Sequence, residues 1–512
     1  MSTPRTQAAG SPAPQYYPEV QKVGGHVLPG MAWWRQAAEK RGSREGAAAR
    51  ARTDAVIAAL PHRARERNGA VSVQDPAAGR YPRPALAWLS VAILFILYIR
   101  SLADRYLIAL VVDPIKQDVG ITDFQISLLQ GPAFAVLYCL FAIPVGLALD
   151  RYNRRWVLFL SVLVWSVGAA ACGMASTFAA LAVARALVGG GESGFSTGAY
   201  SIIGDSFPPS RLSLAMSVFV MGGIMGAGIV FLLGGPFVQF VLSGGASHWP
   251  LMASFAPWQQ AFILTGVPGI AMAFLVLLVT EPVRQARATP AGGAGYGEAI
   301  RFLGRHKRLF WGIFLGFGMA YTSTISLQLW LPAYFARVHG WPTSQIGVVL
   351  GVAQMLAALS LPLHGAIVNR FYKAGRRDAP LFWCIIAIAI AAPCALIALT
   401  ASNPWVTVVM FGCYMTFILA TASMGPAATQ VVTPQALRGR VSAIYVLTTG
   451  LIGMSVGPAL VGYLTDHVFG SPQAVGTSLV VIVLGMLIPA ALLFVAGRQQ
   501  MRQLLEADAV TA

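Results

Sequence analysis

The chain has few charged residues. Only 11% of its 512 residues are Asp, Glu, Lys or Arg, and acids are the scarcer sign, with 19 Asp and Glu against 36 Lys and Arg. Soluble proteins carry about 25% charged residues, so this composition excludes an ordinary soluble globular protein. The mean hydropathy is +0.65 and 56% of the residues are hydrophobic, as is typical of a chain whose solvent is largely the bilayer.

Several chemical signatures are also missing from the sequence. The five cysteines all lie in apolar runs, and their spacing fits neither a metal site nor a disulfide framework. No glycine-rich phosphate loop of the Walker type is present, which excludes direct use of ATP. No cluster of nucleophiles or metal ligands is visible, so we expect neither an enzyme nor a cofactor. A lipid enzyme embedded in the membrane stays an alternative.

Long apolar runs dominate the rest of the sequence. Each run has about 20 residues, which is enough for a helix to cross a bilayer. The twelve predicted spans are residues 86–112, 126–149, 156–175, 178–204, 212–240, 258–280, 309–336, 344–368, 380–401, 404–430, 441–465 and 474–497.

The basic residues are distributed unevenly between the two sides of these spans. With a cytoplasmic N-terminus, 13 Lys and Arg lie before residue 85, 18 in later cytoplasmic segments, 3 in spans, and 2, Lys116 and Arg337, outside. This is the positive-inside pattern, and it argues against nucleic-acid binding. We therefore predict an all-α, multi-pass protein of the plasma membrane with twelve transmembrane helices and both termini in the cytoplasm.

The spans divide into two groups of six. We predict a basic, disordered tail over residues 1–84 without a cleaved secretory signal, with an interfacial helix over 31–60 as an alternative to a solvated tail. The remaining parts are a first six-helix half (85–280), a cytoplasmic linker (281–308), a second half (309–497) and a C-terminal tail (498–512). An internal echo with an offset of 219 residues supports two pseudo-repeats, because Gly146 and Asp150-Arg151 recur as Gly365 and Asn369-Arg370.

Besides Arg100, four charged residues lie inside predicted spans: Asp104, Arg105, Arg185 and Glu192. Each costs roughly 2.5–3.5 kcal/mol at the bilayer centre if it faces lipid, so we expect them to face each other or a wet cavity. Arg185 and Glu192 are seven residues apart and share one face of span 4. Asp104 lies at a similar depth to Arg185 and could pair with it, although Arg100, one turn away, can also reach Asp104.

These charges suggest a substrate site with a proton relay. Arg105 or Arg185 would hold an anionic group, and Glu192 or Asp104 would take up the proton, with Glu192 favoured because arginines surround Asp104. A static ion-pair network is the alternative. Further residues predicted to line the cavity are Tyr321, Gln328, His364 and Tyr414; a lone histidine such as His364 is more often a satisfied core residue.

The loop after span 2 resembles a signature of the major facilitator superfamily. The resemblance implies a gating motif that clamps the cytoplasmic helix ends and favours one conformational state. The residues of this motif are Gly146, Asp150, Arg151, Arg154 and Arg155, with Asn369 and Arg370 in the second half. Within the superfamily the chain looks most like the spinster group, on Asp104-Arg105-Tyr106 and on Arg185 with Glu192. The anion:cation symporter group shares the same charges.

The resemblance implies a monomeric secondary transporter that works by alternating access. We expect proton-coupled movement of a small organic acid or a lysolipid. A facilitator without coupling, a channel and a transporter-like receptor are the other readings.

Overall fold

The computed structural model describes residues 81–284 and 296–511. The predicted tail up to residue 80, including the interfacial helix at 31–60, lies outside the described residues. The same holds for residues 285–295 of the predicted linker. In the described part the chain is helical throughout, without strands, which confirms the predicted all-α class.

The first half precedes the linker and carries Asp104, Arg105, Arg185 and Glu192. Its helices are α1 Pro84–Leu110, α2 Val112–Val119, α3 Asp123–Gln130, α4 Pro132–Arg151, α5 Arg154–Met174, α6 Phe178–Glu192, α7 Phe195–Ser206, α8 Pro209–Leu242 and α9 Pro257–Ala273, the last continued by a 3₁₀ turn, Phe274–Leu278.

The second half follows the linker. Its helices are α10 Tyr296–Arg305, α11 Lys307–His339, α12 Thr343–Ala358, α13 Leu361–Lys373, α14 Ala379–Thr400, α15 Pro404–Val432, α16 Arg438–Tyr463 with a π turn at Leu464–Val468, and α17 Val475–Thr511 after a 3₁₀ turn at Pro472–Ala474.

Among the described residues, eleven helices or helix pairs are long and apolar enough to cross a membrane. They coincide with eleven of the twelve predicted spans. The remaining one, predicted over 178–204, is formed by α6 and α7, which separate at Ser193 and Gly194. Neither helix reaches 18 residues, so this region does not count as a single span, and twelve spans stay a prediction.

A second predicted span, 126–149, is also interrupted. Helix α3 ends at Gln130, Gly131 takes non-helical dihedral angles (φ −109°, ψ −87°), and α4 starts at Pro132. Proline has no backbone N–H and cannot continue the hydrogen bonding of the preceding turn. Interrupted helices inside a membrane bundle are tolerated where they line a cavity or are buried in protein. A third predicted span, 344–368, is divided at Leu359 and Ser360 between α12 and α13, so a break alone does not locate a site.

The two halves touch through glycines on α8 and α12. A Cβ placed at Gly235 would lie 2.6 Å from the Cα of Gly347, and a Cβ at Gly351 would lie 2.7 Å from the main-chain oxygen of Gly228. Such distances are too short for any side chain, so the two backbones are in direct contact. Small residues allow this close approach in membrane bundles.

We predict that Gly347→Val destabilises the protein, because the new side chain must push α8 and α12 apart. Overpacking of this kind costs about 1–3 kcal/mol, and the melting temperature of the purified protein should fall. Gly485→Val on α17 is the matched control, since a Cβ at Gly485 meets no atom within 4 Å. Equal melting temperatures for the two variants would contradict the close contact.

Candidate functional site

An ion pair joins α1 to the end of α6. Arg105 donates from Nη2 to Glu192 Oε2 at 2.6 Å and from Nε to the same oxygen at 3.1 Å. Glu192 is buried, while the Arg105 side chain is 21% exposed. The second carboxylate oxygen of Glu192, Oε1, has no hydrogen-bond partner among the described residues. The carboxylate of Glu192 is thus only partly hydrogen-bonded, and the guanidinium of Arg105 is partly accessible.

Arg185 binds main-chain oxygens instead of a carboxylate. Its Nη1 donates to the carbonyl of Asp104 at 2.8 Å, and its Nε donates to the carbonyl of Leu129 at 3.2 Å. Leu129 lies in the last turn of α3, where the helix stops and its carbonyls lose their regular partners. Arg185, on α6, therefore connects the end of α3 to α1. Its Nη2 has no hydrogen-bond partner among the described residues.

The carboxylate of Asp104 pairs with Arg100, one turn away on α1. This is the second of the two pairings that the sequence allowed. Arg100 also donates from Nη2 to the carbonyl of Thr265 on α9 at 2.7 Å. Asp104 thus faces other helices of the first half, and Glu192 has an arginine partner of its own. The argument that arginines surround Asp104 but not Glu192 does not match this geometry.

A run of glycines on α6 brings these side chains together. A Cβ at Gly189 would clash with the carbonyl oxygen of Phe134 on α4, and a Cβ at Gly191 would lie 2.6 Å from the backbone nitrogen of Trp165 on α5. Helix α6 therefore packs directly on α4 and α5. This contact places the ring of Phe134 under Arg105, whose guanidinium carbon lies 4.6 Å from the ring centroid.

A small cavity opens beside Arg105, between the two halves. Helices α1, α3 and α4 line it from the first half, and α11 and α16 from the second. Its lining consists of Arg105, Tyr106, Gln130, Phe134, Tyr321, Ile325, Leu329 and Met454. One cation, a few neutral polar groups and several apolar side chains suit an organic anion with an apolar part.

Two of the four further residues predicted for the cavity lie at it or next to it. Tyr321 is part of the lining. Gln328 is adjacent, and its Oε1 accepts a hydrogen bond of 2.8 Å from the hydroxyl of Tyr106, which connects α11 to α1.

The other two, His364 and Tyr414, are satisfied inside the second half. Nε2 of His364 donates to the carbonyl of Thr416 at 2.8 Å, and its Nδ1 accepts from Trp383 Nε1 at 3.2 Å. The hydroxyl of Tyr414 is hydrogen-bonded to Ser323 Oγ at 2.9 Å. Neither residue belongs to the cavity lining, and His364 has the satisfied core environment that is usual for a lone histidine.

Gln130 is a cavity residue that the sequence analysis missed. It is 4% exposed, and within the described part of the chain neither its Oε1 nor its Nε2 has a hydrogen-bond partner. The signal was present, because a polar residue directly before Gly131 and Pro132, inside an apolar run, marks a helix break with a side chain to satisfy. Reading 126–149 as one continuous span concealed it.

Arg154 connects three segments of the first half. It is buried at the start of α5, and its guanidinium donates to Glu281 Oε1 at 2.8 Å, to Asp205 Oδ2 at 2.6 Å and to Ser201 Oγ at 2.8 Å. The backbone N–H of Arg155 donates to the other oxygen of Glu281 at 3.0 Å. These contacts join the ends of α5 and α7 to the residues that follow α9.

Most other residues of the predicted gating motif are exposed. Asp150, Arg151, Asn369 and Arg370 are exposed, and a Cβ at Gly146 would meet no atom within 4 Å. At this end of the bundle, called the Asp150 end below, the motif makes no described contact between the halves.

The opposite end, called the Arg337 end, is closed by an ionic cluster. Arg337 at the end of α11 contacts Asp113 on α2 at 2.6 Å and Asp123 on α3 at 2.8 Å. Asp123 is fully buried and also accepts from Lys116 at 2.5 Å. Arg337 and Lys116, which stood out in the sequence as isolated cations, thus belong to a neutral cluster that connects the halves.

Comparison with known proteins identifies relatives. Residues 94–458 match the family model of the Major Facilitator Superfamily. The chain is 26% identical to an MFS-type efflux pump of Mycolicibacterium smegmatis, over 83% of this chain and 95% of the relative. It is 26% identical to protein spinster homolog 3 of Danio rerio, over 74% and 77% of the two chains. A solved bacterial homolog of the human lysosomal transporter spinster, inward-facing and unoccupied, superimposes with a TM-score of 0.70 at 23% identity, covering 83% and 99%.

We predict that Arg337→Gln opens the Arg337 end. The substitution leaves the buried Asp123 with Lys116 as its only cation, and breaking a buried ion pair costs about 3–5 kcal/mol. Spin labels at the exposed positions Gln117 and Val338, in a background without native cysteines, would report the distance between the halves. We expect a longer and broader distance distribution in the variant.

Arg301→Gln is the control for this experiment, because Arg301 is exposed on α10 and bonds within its own helix. An Arg337→Gln distribution equal to that of the control would mean that the cluster does not hold this end closed.

Proposed function

The chain belongs to the major facilitator superfamily and is a membrane transporter, not an enzyme; from that premise we propose that it couples protons to the movement of an organic anion by alternating access. The predicted resemblance to the spinster group is confirmed by the relatives. The solute class, the coupling and the site residues belong to the proposal.

The pair between Arg105 and Glu192 carries this proposal. Among the described residues Arg105 is the one cation in the cavity lining, and its partner is a carboxylate whose second oxygen has no described partner. An arriving carboxylate or phosphate would offer the same kind of oxygen to the same guanidinium, and a planar guanidinium binds such groups in a bidentate manner. Substrate and Glu192 therefore compete for Arg105.

The competition couples the substrate to a proton. A buried carboxylate that loses its cation is strongly unfavourable, so Glu192 would take up a proton as the substrate anion binds. The anion and the proton would then move together. Asp104, paired with Arg100, is the second candidate proton site. Arg185 would act as a positioning residue, because it binds the backbones of α1 and α3.

The two ends of the bundle fit an alternating-access cycle. The ionic cluster joins the halves at the Arg337 end, whereas the exposed motif residues at the Asp150 end make no described contact between the halves. If the many basic residues at the Asp150 end face the cytoplasm, as the positive-inside rule requires, this is an inward-facing state of a twelve-span protein. The exposed Asp150 and Asn369 motifs would then make contact in the opposite state.

The relatives keep two solute classes open. One relative, from Bacillus subtilis, is named a hexuronate transporter and is 25% identical over 74% of this chain and 87% of its own length. The spinster relatives accord with the lysolipid expectation that the sequence resemblance gave. Both classes contain anions that Arg105 could hold. We further propose a monomer in the plasma membrane, with the second half closing over the solute through Tyr321 and Gln328.

We predict that Glu192→Gln abolishes accumulation driven by a pH gradient while solute exchange persists, because the amide can release Arg105 but cannot carry a proton. Solute flux into proteoliposomes, with and without an imposed gradient, measures both. The panel would contain sugar acids, aromatic acids and lysophospholipids. The exposed Glu298→Gln on α10 is the matched control. Intact gradient-driven accumulation in Glu192→Gln would refute coupling through this residue and favour a facilitator.

We also predict that two arginine substitutions have different effects. Arg105→Gln should weaken binding of the transported solute by about 10- to 100-fold, since it removes a charge-assisted bond worth about 1.5–3 kcal/mol. It should also lower the melting temperature, because the buried Glu192 loses its cation. Arg185→Gln should mainly lower the melting temperature, because it unties the carbonyls of Asp104 and Leu129. Binding and thermal unfolding, measured on both purified variants, check this. The reverse assignment would make Arg185 the anion ligand.

A further inference from the structure

Gln130 is a buried amide that no other described residue binds. Its side chain is 4% exposed, both polar atoms lack a hydrogen-bond partner, and it lines the cavity beside Arg105. A buried polar group without a partner is unfavourable, and native proteins rarely keep one without a reason. At this position a ligand or water must supply both an acceptor and a donor.

The position of Gln130 is fixed by the fold. It is the last residue of α3, where the helix stops at Gly131. A Cβ at Gly131 would lie 2.6 Å from the carbonyl oxygen of Met454, so this break is packed tightly against α16 of the second half. Arg185 holds the carbonyl of Leu129 immediately before it. The amide is therefore presented from a rigid, interrupted helix at the junction of the two halves.

Besides Arg105 and Gln130, the cavity lining offers a ligand few polar contacts. Tyr106 donates its hydroxyl hydrogen to Gln328, and Tyr321 is the remaining neutral polar residue of the lining. Phe134, Ile325 and Leu329 are apolar. A ligand that fits this lining has an anionic group for Arg105, an apolar portion, and one neutral group that accepts from Nε2 and donates to Oε1 of Gln130. A hydroxyl or an amide has this property, and a bare alkyl or aryl carboxylate lacks it.

We propose that Gln130 selects the substrate by binding a hydroxyl or amide group next to the anionic group. This inference rests on the proposed function, because it takes Arg105 as the anion ligand. The same chemistry occurs in free hydroxy acids and in the headgroup of a lysophospholipid, which has a hydroxyl near its phosphate.

Binding of matched pairs of anions tests the proposal on the full chain in nanodiscs. The pairs are gluconate and hexanoate, mandelate and phenylacetate, and lysophosphatidic acid and its analogue without the free hydroxyl. For the wild type we expect the hydroxylated member of at least one pair to bind at least about tenfold more tightly, because an unmatched polar site rejects the analogue that lacks the group. Gln130→Met, which keeps the shape and removes the amide, should abolish this difference and leave binding of the other member unchanged.

The responding pair distinguishes a free acid from a lysolipid. The melting temperature without ligand provides a second readout: Gln130→Met should melt at or above the wild-type temperature, because it removes an unsatisfied buried group, whereas loss of a structural hydrogen bond would lower it. Gln130→Asn, which keeps the amide but shortens its reach, covers the case in which Met fails to fold, and it should also lose the preference.

Three results would overturn the proposal. The first is that no pair shows a preference, as expected if water alone satisfies Gln130. The second is a preference that survives in the Gln130 variants, and the third is that none of the six anions binds. Arg105→Gln separates this failure from that of the proposed function. If Arg105→Gln binds all anions like the wild type, the anion site itself is elsewhere; if it loses binding while Gln130 has no effect, only the role of Gln130 is wrong.

Discussion

The structure depends on the high free-energy cost of placing charge where water is scarce. Arg100, Asp104, Arg105, Arg185 and Glu192 lie in segments that are otherwise apolar, and each must find a partner inside the protein. The partners differ in kind: Asp104 has Arg100, Glu192 has Arg105, and Arg185 has two main-chain carbonyls. Among these five residues as the structure describes them, Arg105 alone lines the cavity, so its pairing is the one that we propose is exchanged for a ligand.

The helix breaks make these pairings possible. A continuous α3–α4 helix would have used the carbonyl of Leu129 within its own turn, and Arg185 would have needed a carboxylate. The interruption at Gly131 and Pro132 frees that carbonyl, and the break after Glu192 ends α6 where the acid meets Arg105. Both breaks lie where helices also pack without side chains between them, as at Gly191 against Trp165. Irregular backbone, glycine packing and charge pairing are thus parts of one arrangement.

Sequence patterns predicted the helices well, because apolar runs of bilayer length are a strong and local signal. They also predicted that Arg105, Glu192 and their neighbours face each other or a wet cavity, since an isolated charge in lipid is costly. Partner choice could not be predicted, because Arg185 binds backbone atoms, which every residue has. Gln130 was missed because residues 126–149 were taken as one continuous span, although a polar residue directly before Gly131 and Pro132 indicates a helix break. His364 showed the opposite case, in which a conspicuous residue is fully satisfied by Thr416 and Trp383.

Charge balance gives a reason for moving an anion and a proton together. With both acids ionised, the buried group has three cations against two carboxylates, an excess of one positive charge. An anion on Arg105 removes that excess, and a proton on Glu192 restores it, so the empty and the fully loaded sites carry the same charge. The cluster of Arg337, Lys116, Asp113 and Asp123 at the closed end is neutral and lies outside this exchange. If the protein changes between its two conformational states most readily when the site carries this charge, a site loaded with the anion alone would change state less readily. This electrostatic requirement would couple the anion to the proton.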